Sequence, residues 1–509
     1  MKRFLEKMIF SLICIVTAYI YLPSLHHLPR ADQLWYLLDT VKTNNLFLLI
    51  KDFYSYNRVR VYAPGDSLAF RPVMFIFLGL EKWLFGTNFL LPQAVGIVLH
   101  LFLVWRLYKI LQLIHPNRIA LIFVGYFSTL MIIMDMVVWH HINAYIIFMI
   151  LILISLYHLV LYVQKEDKKE HHFNVMMISL LIACFTYEIG AIYACLFFIY
   201  LCLVAKQEEK VYFKKKYLLV LLPVLLYVAS NVIDYKLRST SIPKSQQQYD
   251  MLLLSQVSFS NVGPIFNLSL EMLYKWIQFG LFPTIFRIYP GPRFGIYSFI
   301  YETNMVNLQP EMVVNVVVVM ALVLFLMNIL SFRQSRDKLQ FIILIASMLV
   351  SYLLLIIVGR TLERGIKNAF EMCTYYTYFP WVYFIIIIYS LLAHETLKKH
   401  TPLVVKWLGI ILVLILIYLN SALVRKINSE YADSLAPKRL FIDKINRFVK
   451  AHRKEPDFSF KIAIHPPEDE IINIRERDIW KDFYLSEILF GRYINNSNPK
   501  YILSPEFFK

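Results

Sequence analysis

Residues 25–38 read LHHLPRADQLWYLL and residues 69–88 read AFRPVMFIFLGLEKWLFGTN. They belong to the segment between the first apolar run and the second. How that segment meets a membrane decides on which side every later loop lies. Asp32 sits just past the end of the first apolar run. The stretch from Pro72 to Leu84 is apolar enough to lie in a membrane surface but short for a crossing, which takes about 20 apolar residues. A carboxylate held close to the membrane, followed by amphipathic segments, suits a site where a lipid-borne substrate meets a water-borne one.

Working outward, the 509-residue chain is 58% hydrophobic and 17% charged, against about 25% charged in soluble domains. Apolar stretches at 8–23, 93–113, 119–138, 143–163, 173–187, 189–205, 217–233, 311–331, 339–358, 377–393 and 403–421 predict about eleven crossings. The expected fold class is therefore an all-α polytopic membrane protein. The first run follows Lys2, Arg3 and Lys7, and Leu22-Pro23-Ser24-Leu25 offers no small-residue cleavage site. It reads as a retained anchor. The formal charge of +17 does not indicate nucleic acid, because most Lys and Arg fall in short loops between spans. The five cysteines form neither a disulfide framework nor a zinc spacing, and no cofactor is implied.

The eleven-span reading puts Arg106, Lys109, Arg118, Lys165, Lys168, Lys169, Lys210, Lys214–Lys216, Arg333, Arg336, Lys338, Lys398 and Lys399 on the side of the N-terminus. That side is then cytoplasmic. A crossing at 72–84 would turn these basic loops outward, so this segment is expected to lie in the outer interface with Lys82 and Trp83 at headgroup level. Loops 24–92 and 234–310 become extracytoplasmic. The chain divides into a transmembrane region, 1–421, and a small mixed extracytoplasmic tail, 422–509. Glu188 interrupts the apolar stretch 173–204, which predicts two short spans with a mouth between them.

Several side chains stand out chemically. Asp32, beside Arg30 and near His26 and His27, is placed to take a proton from an attacking hydroxyl, or simply to cap a helix at 33–38. Trp139-His140-His141 marks an outer mouth, with Asp135 one turn earlier; adjacent histidines point to different faces, so polar lining is a better reading than a shared metal. Glu188, between two apolar runs, is expected to face a cavity or a partner. The stretch 359–367 puts Arg360, Arg364 and Lys367 in an outer loop against the orientation rule. They are expected to meet an anionic partner such as a phosphate, or to pair with Glu363 or Glu371. Tyr375, Tyr376, Tyr378 and Trp381 read first as an interfacial aromatic belt and second as a surface for sugar stacking. His100, alone in its span, reads as a helix-packing residue.

In this order the pieces resemble integral-membrane glycosyltransferases of the GT-C fold, similar to bacterial relatives of protein O-mannosyltransferases. The resemblance rests on Arg30-Ala31-Asp32, Phe70-Arg71-Pro72 followed by Leu84-Phe85-Gly86-Thr87-Asn88, Val98-Leu99-His100, Val138-Trp139-His140 and Tyr187-Glu188-Ile189-Gly190, and covers roughly 1–390. Gln33 and Tyr187 depart from the family's acidic residue and lysine. The resemblance implies a GT-C-like bundle with outer interfacial helices. It also implies an inverting transfer from a polyprenyl-phosphate-linked sugar, with Asp32 as base. The acceptor hydroxyl would belong to a glycolipid, a polysaccharide or a protein. Arg71, Arg360, Arg364 and Lys367 would then meet the lipid phosphate, and His140 and Glu188 the sugar. The expected location is a bacterial plasma membrane, with the N-terminus cytoplasmic and the site outside. A flippase of lipid-linked glycans would want inverted repeats and mid-membrane Gly or Pro breaks, and the chain shows no repeat. A polysaccharide polymerase or ligase would use many spans without needing a first-loop base.

Overall fold

The computed structural model describes residues 2–27, 45–55, 70–85, 90–116, 118–139, 142–164, 168–207, 215–239, 336–364, 374–392 and 403–434, with isolated positions at 263, 267, 269, 273 and 277. All regular structure among them is helical. In chain order the helices are α1 (Lys2–Tyr21), α2 (Leu46–Ser55), α3 (Pro72–Phe85), α4 (Leu90–Ile114), α5 (Ile119–Thr129), α6 (Met134–Val138) and α7 (Asn143–Gln164). They continue with α8 (Lys169–Thr186), α9 (Ile189–Gln207), α10 (Leu222–Ser239), α11 (Arg336–Arg364), α12 (Tyr378–Leu392) and α13 (Leu403–Ser434). A bilayer core offers the backbone no water, so an apolar run must satisfy its own N–H and C=O groups as helix.

Every expected span except 311–331, which lies outside the described residues, falls on helix. Among the described residues, six helices are long and apolar enough to cross a membrane, or seven if the bent pair α5–α6 is one span. Helices α9 and α12 are shorter apolar helices. Large apolar side chains at Trp407, Leu408, Ile411, Leu412 and Ile415 of α13, and at Leu225, Val228 and Val232 of α10, are exposed. That is the outward face of a bundle bathed in lipid. The interior is built from α4, α5, α7, α9, α11 and α12, around Leu103, Phe127, Phe148, Leu153, Tyr193 and Tyr383.

Four features differ from the sequence expectation. The span 119–138 is broken at Leu130 and bent by 54°. Ser128 and Thr129 turn their hydroxyls back onto Gly125 O and, from Thr129, Tyr126 O, which competes with the helical ladder. The freed groups find partners elsewhere: Met131 N–H donates to Asn420 Oδ1 (3.3 Å), Thr377 Oγ1 donates to Ile132 O (3.1 Å), and His100 Nε2 lies 3.3 Å from Ser128 O. The last span continues to Ser434, past 421, because Val424, Ile427 and Asn428 are buried against the rest of the bundle.

The expected outer loop from 359 is helical through Arg364. At 29 residues, α11 is about 43 Å long, more than the hydrocarbon thickness of about 30 Å. Its last turn also favours cations through the helix dipole. Finally, Tyr378 (0% exposed) and Trp381 (1%) are core residues and not an interfacial belt. Tyr378 OH lies 2.7 Å from His100 Nδ1, and Trp381 packs edge-on to Tyr126. His100 is thus a packing residue, as expected.

Helix α3 begins at Pro72, where the missing N–H costs nothing. It spans 14 residues, about 21 Å. Met74, Phe75 and Leu78 form a small cluster with Ala144. Arg71 reaches Tyr145 and Glu81 meets Asn143, so positions ten residues apart, about 15 Å along a helix, both contact the first turn of α7. The helix therefore lies over the mouth of the α7–α8 pair and does not descend beside it. This geometry agrees with an interfacial helix. A cysteine placed at Asn88, in a background without reactive native thiols, should label with an impermeant reagent in intact cells. Protection there together with labelling near Lys168 would contradict the orientation.

Candidate active site at the mouth of the bundle

Helices α8 and α9 meet in a tight turn at Tyr187-Glu188. The turn is closed by Tyr187 N–H to Ala183 O (3.0 Å), Gly190 N–H to Tyr187 O (3.0 Å) and Ala191 N–H to Glu188 O (3.1 Å). Gly190 is needed there, since a Cβ would stand 2.8 Å from Cys184 N and 2.9 Å from Ala183 C. The turn leaves Glu188 at the mouth between two helices, where the sequence placed it.

Its partner is Arg71. Arg71 Nε donates to Glu188 Oε2 and Nη2 to Oε1, each at 2.7 Å. This is the paired fork geometry that makes arginine–carboxylate contacts strong and oriented. Arg71 Nη1 also donates to Tyr145 OH at 3.1 Å, and the guanidinium carbon lies 5.0 Å from the centre of the Tyr187 ring. Tyr145 and Tyr187 meet edge-on at 4.9 Å. The two charged side chains keep 17% and 22% exposure, so the pair is open on one side.

The approach to Arg71 is fixed as well. Phe70 N–H donates to Asn231 Oδ1 at 3.0 Å, and the Phe70 ring packs edge-on to Tyr54 and Phe185. Tyr54 in turn donates to Asp234. Asn231 and Asp234 lie three residues apart on α10, on one helix face. Sequence reading missed Tyr145, Asn231 and Asp234. The one signal was a buried aspartate near the end of an apolar helix.

The other expected site residues divide by where they fall. Asp32, Arg30, His140 and Lys367 lie outside the described residues. Arg360 and Arg364 lie on the last turns of α11, one helical turn apart and so on one face. Tyr352, earlier on α11, is buried against Phe379 of α12; Phe379 also touches Tyr187. The structure thus brings Arg71 and Glu188 into direct contact and puts the α11 arginines beyond the Tyr352 level of the same helix. Asp135, expected near the mouth, is buried at 1% exposure.

No protein-family model and no curated protein matches the chain. Among solved structures, ArnT from Cupriavidus metallidurans bound to undecaprenyl phosphate is similar over 96% of this chain and 86% of that one, at 10% identity and a TM-score of 0.45. That likeness describes an overall course of helices and carries no argument about chemistry.

Proposed function

We propose that the chain is a membrane glycosyltransferase that moves a sugar from a polyprenyl-phosphate donor to an acceptor hydroxyl on the extracytoplasmic face, with inversion. The reading is carried by the anchored, partly exposed Arg71 guanidinium, oriented by Glu188 and Tyr145 beneath a helix lying over the bundle mouth. A fixed cation at the edge of the lipid phase is suited to a lipid phosphate. In the reaction the acceptor oxygen attacks the anomeric carbon while the bond from that carbon to the phosphate oxygen breaks. Asp32 takes the acceptor proton, and the bonding pair leaves on the polyprenyl phosphate. Arg71, with Arg360, Arg364 and Lys367, stabilises that developing charge. Glu188 acts first by orienting Arg71, since both its oxygens are engaged; it and His140 then contact sugar hydroxyls.

The proposal is tested by thermal denaturation of the purified protein with undecaprenyl phosphate or undecaprenol. Stabilisation by the phosphate alone is expected. Equal stabilisation by both would reduce the site to a hydrophobic groove.

The α11 arginines allow a second check. Arg364→Ala should weaken use of the lipid donor, and Arg364→Lys should restore it only in part, because a point charge lacks the planar fork. If Arg364 serves only to pair with Glu371, Glu371→Gln will do equal harm and the damage will read as lost protein. Donor dependence and membrane abundance of the three variants separate the two outcomes.

A further inference from the structure

The end of the bundle opposite Arg71 carries a second group of nitrogen-bearing side chains, and the mechanism uses none of them. Helix α7 runs from Asn143, at the mouth, to Gln164, and α8 starts back at Lys169. Near this turn stand His158 of α7 and His171 and His172 of α8. Their ring centres lie 5.1 Å (His158–His172), 5.6 Å (His171–His172) and 6.0 Å (His158–His171) apart. His158 Nδ1 and His172 Nδ1 are 3.0 Å apart. A single hydrogen fits between two ring nitrogens at that distance. Whichever neutral ring supplies it, the other carries its own hydrogen on Nε2, so the pair always presents a further N–H donor.

Helix α4 adds a guanidinium. Phe102, Trp105, Arg106 and Lys109 follow the spacing of one helix face. Arg106 Cζ lies 4.4 Å from the centre of the Trp105 ring and 5.1 Å from that of Phe102, and Lys109 Nζ lies 5.9 Å from Trp105. Such cation–ring contacts hold the charges in place, and Phe102, at 38% exposure, opens this face toward lipid. The charge of Arg106 acts on His158, as do those of His171 and His172. Its Nε is buried with no hydrogen-bond partner among the described residues. Arg106 stands about 12 Å short of the end of α4 at Ile114, where a long side chain carries its charge to headgroup level.

Two carboxylates described at this end have cations of their own: Glu170 pairs with Lys216, and Glu6 lies 3.8 Å from Arg118. Among the described residues no three His, Cys, Asp or Glu side chains are arranged to hold a metal ion, and the charges of Arg106 and Lys109 repel a cation. We propose that the rim formed by α4, α7 and α8 binds the phosphate of an anionic phospholipid headgroup. Arg106 anchors it with its planar fork, His158 and His172 supply further donors, and Trp105 lies at the membrane edge beside it. This side of the bundle is the one expected to be cytoplasmic, where basic pockets between helices take up anionic lipid. The inference does not rest on the glycosyltransferase reading.

Thermal denaturation of the purified, delipidated full-length protein, titrated with short-chain phosphatidylglycerol, tests the site. Saturable stabilisation is expected, whereas phosphatidylcholine, whose phosphate is neutralised by choline, should give little. Arg106→Gln should weaken the apparent affinity about fivefold or more, and His158→Phe, which keeps a flat ring without nitrogen, should weaken it as well. Lys7→Gln, an equal loss of charge at an exposed position of α1, should bind as the parent does. If Arg106→Gln does not accumulate, Lys109→Gln combined with His158→Phe reads the same site. Equal stabilisation by the two lipids overturns the proposal, as does an affinity lowered as much by Lys7→Gln as by Arg106→Gln. Parent-like affinity in Arg106→Gln overturns it too, and would leave Arg106 to carboxylates of the chain such as Glu166 and Asp167. Inorganic phosphate matching the lipid would make this a site for a soluble anion, and stabilisation by zinc that His158→Phe abolishes would make it a metal site. Either result contradicts the lipid assignment.

Discussion

Asp32→Asn is expected to leave a folded, inserted protein that transfers no sugar. The substitution preserves size and hydrogen-bonding reach and removes only the negative charge and the basicity. Loss of a general base costs on the order of a hundredfold or more. The acceptor hydroxyl would then have to shed its proton to water while a lipid phosphate departs beside it. Transfer by purified Asp32→Asn within a few-fold of the parent, at equal abundance, would eliminate Asp32 as the base and reduce it to a helix cap.

Arg71→Ala should have the second large effect, and it should divide in two. Removing the guanidinium strands Glu188 without its partner. At 17% and 22% exposure the pair is only partly shielded, so the stability lost is about 1–3 kcal/mol, less than for a fully buried pair. The loss in kcat/KM for the lipid donor should be larger, about a hundredfold, if Arg71 meets charge that develops on the leaving phosphate. Arg71→Lys should recover part of the donor use but not the paired grip on Glu188. Glu188→Gln supplies the contrast: it keeps the arginine and loosens its aim. A donor KM unchanged in Arg71→Ala, with only thermal stability reduced, would make the pair structural.

What the sequence disclosed follows the physics of the bilayer. Apolar runs are legible because hydrocarbon leaves the backbone no choice but helix. The turn at Tyr187-Glu188 was legible because a carboxylate between two such runs must reach a mouth. The pairing was not: Phe70-Arg71-Pro72 marked Arg71 as a candidate, but it lies 117 positions away, and nothing local joins it to Glu188. The break at Leu130 was invisible for a related reason. No proline or glycine stands there, and its freed backbone pairs with side chains of Asn420, which accepts, and Thr377, which donates, 289 and 245 positions distant. Tyr378 and Trp381 were misleading because aromatic residues near a span end look alike in sequence whether they face headgroups or a core. Here His100 and Tyr126 provide the interior partners. The run 359–364 was misplaced as loop because helix α11 outlasts its own apolar stretch, and charge alone does not end a helix.

The most direct measurement follows both halves of the donor. Membranes carrying the chain are incubated with a polyprenyl-phosphate sugar labelled in the sugar, and lipid and acceptor fractions are separated. The account predicts labelled acceptor together with an equal amount of free polyprenyl monophosphate, and neither product with Asp32→Asn. Intact donor recovered in the opposite leaflet would mean a flippase, and release of polyprenyl diphosphate would mean a polymerase or ligase; either result would contradict the account.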